Sequence, residues 1–231
     1  MKTLAIDTAN QALGVALSLD GQIIGEYITN LKKNHSVRLM PAIHQLMEDT
    51  GSSPGALEKI VVSKGPGSYT GVRIGLSTAK TLAWALDIPI IGVSSLEVLS
   101  YQGRFFSGLI CPFFDARRNN VFSGLYRWEK ESMTLYFEEQ NIAMEEWLYQ
   151  LKEMGERILF LSPDIVQYKE QIEAIMGDMA SIPEGPYHIA NPSHVALAGT
   201  FKEPDETHAL TPNYLRLAEA EAKWLKSREE D

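Results

Sequence analysis

Cysteine is almost missing: Cys111 is the only one among 231 residues. No internal disulfide can form, which fits a reducing compartment. Cys111 sits in the apolar run Leu109–Phe114 with no helix start or cation beside it, so it reads as a buried structural thiol. No stretch is long and apolar enough to cross a bilayer. The opening MKTLAIDTAN holds no separate hydrophobic targeting region, because Asp7 and Asn10 interrupt its apolar positions. A cytoplasmic location is expected. Positive charge is scarce too, and unevenly so. Residues 1–105 carry nine Lys/Arg against eight Asp/Glu, and residues 106–231 carry twelve against twenty-two, giving a net charge of −9. Nucleic-acid affinity comes mainly from neutralising phosphates with Lys and Arg, so tight nucleic-acid binding by this chain alone is not expected. Metal-binding histidine patterns are lacking as well. His35 and His44 point to opposite sides of a helix at about 100° per residue, and no metal is expected.

What is present is a core: 45% of the residues are hydrophobic. Leu4-Ala5-Ile6 ending at Asp7 reads as a buried strand. Two further strands, Gly14–Leu19 and Ile23–Ile28, flank Asp20-Gly21, a pair that favours a tight hairpin. A helix follows, capped by Asn34 or Ser36, with Leu39, Ile43, Leu46 and Met47 at helical spacing. Pro41 is either its first residue or a kink. Then come a strand at Ile60–Val62, a glycine-rich turn, a helix from about Val72 to Leu86, a strand at Ile90-Ile91, and a helix opened by a Ser94/Glu97 capping box.

After residue 105 the order restarts. Strands are predicted at Ile110–Phe114, Val121–Trp128 and Thr134–Ile142, then a helix at Met144–Lys152, a strand at Ile158–Leu161 and a helix at Ile165–Ile175. Each half's first strand ends in aspartate, Asp7 and Asp115. The pattern predicts a duplicated α/β fold with two lobes, 1–105 and 106–231, facing a cleft. A tail helix over 217–228 is expected, able to pack back on the first lobe.

The strongest local signal is KGPGSYTGVRIG over Lys64–Gly75. A strand, glycines and a helix start present backbone N–H groups to an anion, and Gly65, Gly67 and Gly71 permit close approach. The spacing fits neither a P-loop nor a dinucleotide fingerprint. The turn is therefore either an anion contact or a rigid structural corner. Asp7, Asp115, Arg117 and Arg118 are the cleft candidates. Asp115 either pairs with arginine at a strand end or meets an anion or partner.

This glycine segment resembles the TsaB (YeaZ) family, and Ser94-Ser95-Leu96-Glu97 follows at the family's distance. His35-Ser36 with Leu39, Pro41, Ile43 and Leu46, Asp115-Ala116-Arg117-Arg118, and Pro212-Asn213-Tyr214-Leu215-Arg216 are similar to three further family motifs. The resemblance is dense over residues 1–127 and sparse beyond. It departs at Ala9, where serine is usual, and at Asn119-Asn120, where Gly-Glu is usual.

The resemblance implies an actin-like ATPase (ASKHA, ribonuclease H-like) fold with mixed sheets flanked by helices. It implies a subunit that is not the catalyst. Such a subunit dimerises with the TsaD paralogue, which transfers threonylcarbamoyl from threonylcarbamoyl-AMP to N6 of the adenosine beside the tRNA anticodon. The ATPase TsaE joins the pair, and tRNA is met only through the complex. The helices matching residues 36–48 and 70–86 would form the dimerisation surface, also used for homodimers when the chain is alone. The expected interface residues are His35, Leu39, Ile43, Leu46, Thr70, Arg73, Ile74, Thr78 and Thr81. No cofactor is expected on the chain alone, and ATP or ADP is left a place at the shared interface. Two other readings stand beside this one: an independent small-molecule kinase or ATPase of the same fold, and a protease, for which no nucleophile–base arrangement is evident in the sequence.

Overall fold

The computed structural model describes residues 1–31 and 34–215. The tail helix expected over 217–228 lies outside the described residues. The chain opens with β1 (Lys2–Asp7), β2 (Ala12–Leu19) and β3 (Gln22–Asn30). Asp20 and Gly21 join β2 to β3 with φ of 50° and 82°, the left-handed pair that a two-residue turn requires to match strand twist. Helix α1 (His35–Asp49) is capped by the Asn34 side chain, which accepts the Ser36 N–H at 3.0 Å. Pro41 lies inside this helix on its exposed side.

β4 (Lys59–Ser63) leads through the glycine turn into α2 (Tyr69–Leu86), capped by Ser68 and closed by Asp87 in the left-handed conformation. β5 (Ile90–Val93) and α3 (Ser95–Ser100) complete the first unit. Ser94 caps α3 as expected, accepting from the N–H groups of Leu96 and Glu97. The reciprocal half of the box is not made: the Glu97 carboxylate pairs with Lys202 at 2.8 Å instead.

The second unit repeats the first: β6 (Leu109–Arg117), β7 (Asn120–Glu129), β8 (Ser132–Ala143), α4 (Met144–Glu153), β9 (Ile158–Leu161), α5 (Ile165–Met176), β10 (Ala180–Ser181) and α6 (Pro192–Ala198). The sheets have matching orders, β3-β2-β1-β4-β5 and β8-β7-β6-β9-β10. In each, the first three strands are antiparallel, and the fourth pairs in parallel with the first and with the fifth. β10 and α6 have no counterpart in the sequence expectation. β10 is only two residues long, and α6 starts at Pro192, the residue suited to a first helical position.

Strand alternation divides the core in three. Leu4 and Ile6 face α1 and α2 with Ile60, Leu39, Ile43, Leu46, Leu76 and Ala79. Ala5 faces the other way, into a middle core with Ala16, Val61, Leu96, Leu99, Ile110, Phe114 and Val195. Phe113, Phe160, Trp147, Leu148 and Ile172 fill the third, under α4 and α5. The middle core exchanges helices. α6 of the second unit packs on β1 and β2, and α3 of the first packs on β6. A Cβ on Gly199 would lie 2.6 Å from Val61, and one on Gly14 3.1 Å from Pro192. Buried Lys59 donates to the Gly199 carbonyl at 3.3 Å, where the helix dipole favours a cation. Burial pulls the Lys59 pKa down.

β3 and β8 are the outer strands of the two sheets. They expose apolar side chains, Ile23, Ile24, Tyr27 and Ile28 on one and Leu135, Tyr136 and Phe137 on the other. Among the described residues, no helix is long and apolar enough to cross a membrane.

Candidate functional site

The glycine turn is built against the first hairpin. Ser68 donates its N–H to the Ala9 carbonyl at 2.7 Å, and the Thr8 hydroxyl donates to the Gly71 carbonyl at 2.7 Å. A Cβ on Gly67 would sit 2.3 Å from Ala9 O, one on Gly71 2.2 Å from Thr8 O, and one on Gly75 2.4 Å from the Thr8 hydroxyl. Those glycines leave room for the chain's own first hairpin, Gly67 and Gly71 for its backbone and Gly75 for the Thr8 side chain. Gly65 adopts φ +98°, and its carbonyl accepts the Ser95 N–H at 2.9 Å. Lys64 is held on both sides, its N–H on Val93 O at 2.9 Å and its carbonyl by the Asn213 N–H at 2.7 Å.

This corner aims α2. Thr70, Arg73, Ser77, Thr81 and Trp84 are exposed along it, with Ile74 and Thr78 half-buried. Trp84 is 69% exposed. On α1 the expectation needs correction. Leu39, Ile43 and Leu46 are 1%, 3% and 5% exposed and belong to the chain's own core, so they have no surface to offer a partner. A helix lying on a sheet turns its apolar stripe to that sheet. The outward apolar residues of α1 are Val37 and Met40, 67% and 48% exposed. His35 is half-buried and bonds through Nε2 to the Asn10 carbonyl at 2.8 Å, tying the start of α1 to the first hairpin.

Of the cleft candidates, Asp7 ends β1, Asp115 lies two residues before the end of β6 at Arg117, and Arg118 follows in the turn to β7. Asp7, closing β1, is buried and accepts the Ala9 N–H at 2.9 Å. Burial pushes its carboxyl above the ordinary range, against the opposing effect of that hydrogen bond. Asp115 on β6 accepts the Tyr168 hydroxyl at 2.8 Å and the backbone N–H of Arg117 at 3.0 Å. Its contact with Arg117 is thus to backbone. Asp164 accepts the Asp115 N–H at 2.9 Å, and burial raises the Asp164 pKa. Arg117, Arg118 and Asn119 form an exposed left-handed turn, with φ of 66°, 56° and 61°. Among the described residues, no group of three or more His, Cys, Asp or Glu could hold a metal ion.

Two features escaped the sequence. Glu139 of β8 accepts from the Ser94 and Tyr126 hydroxyls and from Asn213 Nδ2 at 3.0 Å. It therefore joins the second sheet, the cap of α3 and the C-terminal segment. That segment runs along α2. Leu210 enters the first core, Lys80 Nζ donates to the His208 and Leu210 carbonyls at 3.0 and 2.9 Å, and Tyr214 stacks on Tyr69 with ring centroids 5.3 Å apart. The motif Pro212–Arg216 was visible in the sequence. Its partners lie 74 and 141 residues away and left no periodic trace.

The family model described as TsaD, tRNA N6-adenosine threonylcarbamoyltransferase, matches residues 22–224. The tRNA threonylcarbamoyladenosine biosynthesis protein TsaB of Bacillus subtilis (strain 168) is 52% identical over 228 residues, covering 99% of this chain and 100% of that protein. Among solved structures, YeaZ from Pseudomonas aeruginosa has a TM-score of 0.79 at 25% identity, covering 93% of this chain and 99% of that one. A Pseudomonas aeruginosa protein described as similar to peptidase YEAZ has a TM-score of 0.81 at 24% identity, with the same coverage, and bears on the fold alone. The duplicated pair of mixed sheets flanked by helices agrees with the expectation from the sequence, and the fold is shared with YeaZ.

Proposed function

This chain belongs to the TsaB family of tRNA threonylcarbamoyladenosine biosynthesis proteins, and we propose that it is the non-catalytic activating subunit of the transferase complex. In this reading it dimerises through α2 and the outer side of α1 with a catalytic TsaD paralogue. That subunit moves threonylcarbamoyl from threonylcarbamoyl-AMP to N6 of the adenosine beside the tRNA anticodon. TsaE joins the pair, ATP or ADP has its place at the shared interface, and the partner holds the tRNA. Alone, the chain pairs with itself through the same face.

The observation that carries the reading is that α1 and α2 leave large apolar side chains outside, Val37 and Met40 on α1 and Trp84 near the far end of α2, while the start of α2 is set by a corner locked against the chain's own first hairpin. Large apolar and aromatic side chains left outside are the usual anchors of a protein interface. The net charge of −9 favours a protein partner over direct RNA contact.

The test is a pair of charge insertions, Met40→Asp and Trp84→Glu, in the full chain. Each is expected to weaken binding to the TsaD paralogue by about tenfold or more and to lower the N6-threonylcarbamoyl content of cellular tRNA. Melting temperatures should stay within about 2 °C of the parent, because exposed sites contribute little to stability. Undiminished binding by both variants would sink the reading. The independent-kinase reading predicts heat and turnover with Mg·ATP from the pure protein, and a flat calorimetric trace is expected here. For a protease, the described residues offer no histidine ring hydrogen-bonded to a hydroxyl or thiol: His35 meets Asn10 O, and His188 meets Ser162 N–H and Pro183 O.

A further inference from the structure

Arg73 stands one turn into α2, exposed, in a setting that holds its guanidinium still. Its Cζ lies 3.9 Å from the centroid of the Tyr69 ring and 5.6 Å from that of Tyr214. Its Nε donates to the Tyr214 hydroxyl at 2.6 Å. The two tyrosines are themselves stacked, with an interplanar angle of 24°. Tyr214 is fixed from behind, because its neighbour Asn213 is bonded to Lys64 O and to Glu139. A free arginine side chain loses about 2 kcal/mol of rotamer entropy when it is immobilised. Here much of that ordering is done before any ligand arrives.

A guanidinium has five N–H donors in a planar fork. Tyr214 takes the one on Nε. The four on the two Nη atoms have no partner within the described residues. With the Nε side occupied, the end of the fork formed by the two Nη atoms is the edge left to face outward, and it matches the two oxygens of a carboxylate. The surrounding field agrees. Over Tyr69–Leu86 the helix carries Arg73 and Lys80 and no acidic residue. Lys80 is already committed to two backbone carbonyls, and the nearby start of α2 adds the positive end of the helix dipole.

We propose that Arg73, clamped by Tyr69 and Tyr214, is a preformed receptor for one aspartate or glutamate side chain of the protein that covers α2. The proposal rests on the reading of α2 as a partner face. It adds selectivity to contacts made by α2 itself: a second copy laying its own α2 directly on this one brings no carboxylate from that helix, whereas a different partner can, so the clamp favours the heterologous pair over an α2-to-α2 homodimer. Glu48 and Asp49, exposed at the end of α1, are the carboxylates a self-pair could still offer.

The experiment measures binding of the full chain to the TsaD paralogue, and self-association of the chain by sedimentation, for Arg73→Ala, Arg73→Lys and Tyr214→Phe. Arg73→Ala is expected to weaken the heterologous pair by about tenfold to a hundredfold. Arg73→Lys should lose about tenfold although the charge is kept, since a point charge cannot reproduce the fork. Tyr214→Phe, which keeps the ring stack and removes only the acceptor for Nε, should lose about threefold. Self-association should change by less than about twofold, and the losses should shrink at high salt. Melting temperatures establish folding, and the lysine and phenylalanine variants carry the test should the alanine variant be destabilised. If the parent does not bind the paralogue at all, the partner reading fails and the receptor falls with it. If the parent binds and both Arg73 variants bind as well, the receptor alone is overturned. It is also overturned by a deficit that appears only when ATP or ADP is present, since the ligand is then a phosphate, or by equal loss in both assemblies.

Discussion

An alanine at position 71 would place its methyl 2.2 Å from the carbonyl oxygen of Thr8, which is backbone and cannot swing aside. Gly71→Ala is therefore expected to cost about 2–3 kcal/mol, a fall in melting temperature of about 4–12 °C for a chain of this size, read by thermal unfolding. The spacing of Gly65, Gly67 and Gly71 was legible as something unlike a phosphate loop. That the first hairpin occupies the space was not, since Thr8 lies 63 residues away. A second residue-scale effect is at His194, buried beside Tyr101 at 5.8 Å between centroids. Burial, helped by the charge of Arg104, lowers its pKa from 6.5 to about 4. Above pH 6.5 both folded and unfolded chains hold a neutral ring. Between 6.5 and 4 only the unfolded chain takes the proton, so stability falls as pH drops through that window, by up to about 3 kcal/mol. Asp7 and Glu97, whose carboxyls are pushed up by burial, work in the opposite direction. The difference between parent and His194→Gln denaturation profiles across pH 7 to 4.5 isolates the histidine, and the variant should show the shallower loss.

At the scale of elements, α1 teaches what a periodic pattern leaves open. Leu39, Ile43 and Leu46 mark an apolar stripe correctly, but a stripe is the same whether it meets the chain's own sheet or another molecule. The useful sign was off the stripe, in Val37 and Met40, apolar residues at positions where a solvated helix face carries polar ones. Ile43→Asp consequently tests folding. A carboxylate placed among Leu4, Ile6 and Ile60 is expected to cost about 4 kcal/mol or more, seen as insolubility or a collapsed melting transition, while Met40→Asp melts like the parent. Helix α2 was read more nearly as it is: Thr70, Arg73 and Thr81 are exposed. The segment that borders it on one side, from Glu206 to Tyr214, was legible only as the motif that starts at Pro212, because a turn over 207–209 followed by irregular chain has no period.

At the scale of the molecule, the duplication was visible because both halves repeat the same order of strands and helices; the aspartate expected to close each first strand does so at Asp7, while β6 runs two residues past Asp115 to Arg117. The exchange of helices in the middle core was not visible. α6 is seven residues long, too short for periodicity to declare it, yet it covers β1 and β2. Residues 1–105 expressed alone would leave Ala5, Ala16 and Val61 bare on one side of their sheet. That fragment is expected to aggregate or to bind a hydrophobic dye strongly, and co-expression with 106–231 should restore a soluble, cooperatively melting pair. The outer strands carry a different consequence. β3 and β8 present unpaired backbone edges together with isoleucine, leucine and aromatic side chains, and β3 has only Glu26 among its charges. Natural sheets usually guard such borders with lysine, proline or a covering loop. A chain left with two lightly guarded borders can add strands from its neighbours when crowded, so high-concentration preparations risk growing by edge-to-edge accretion.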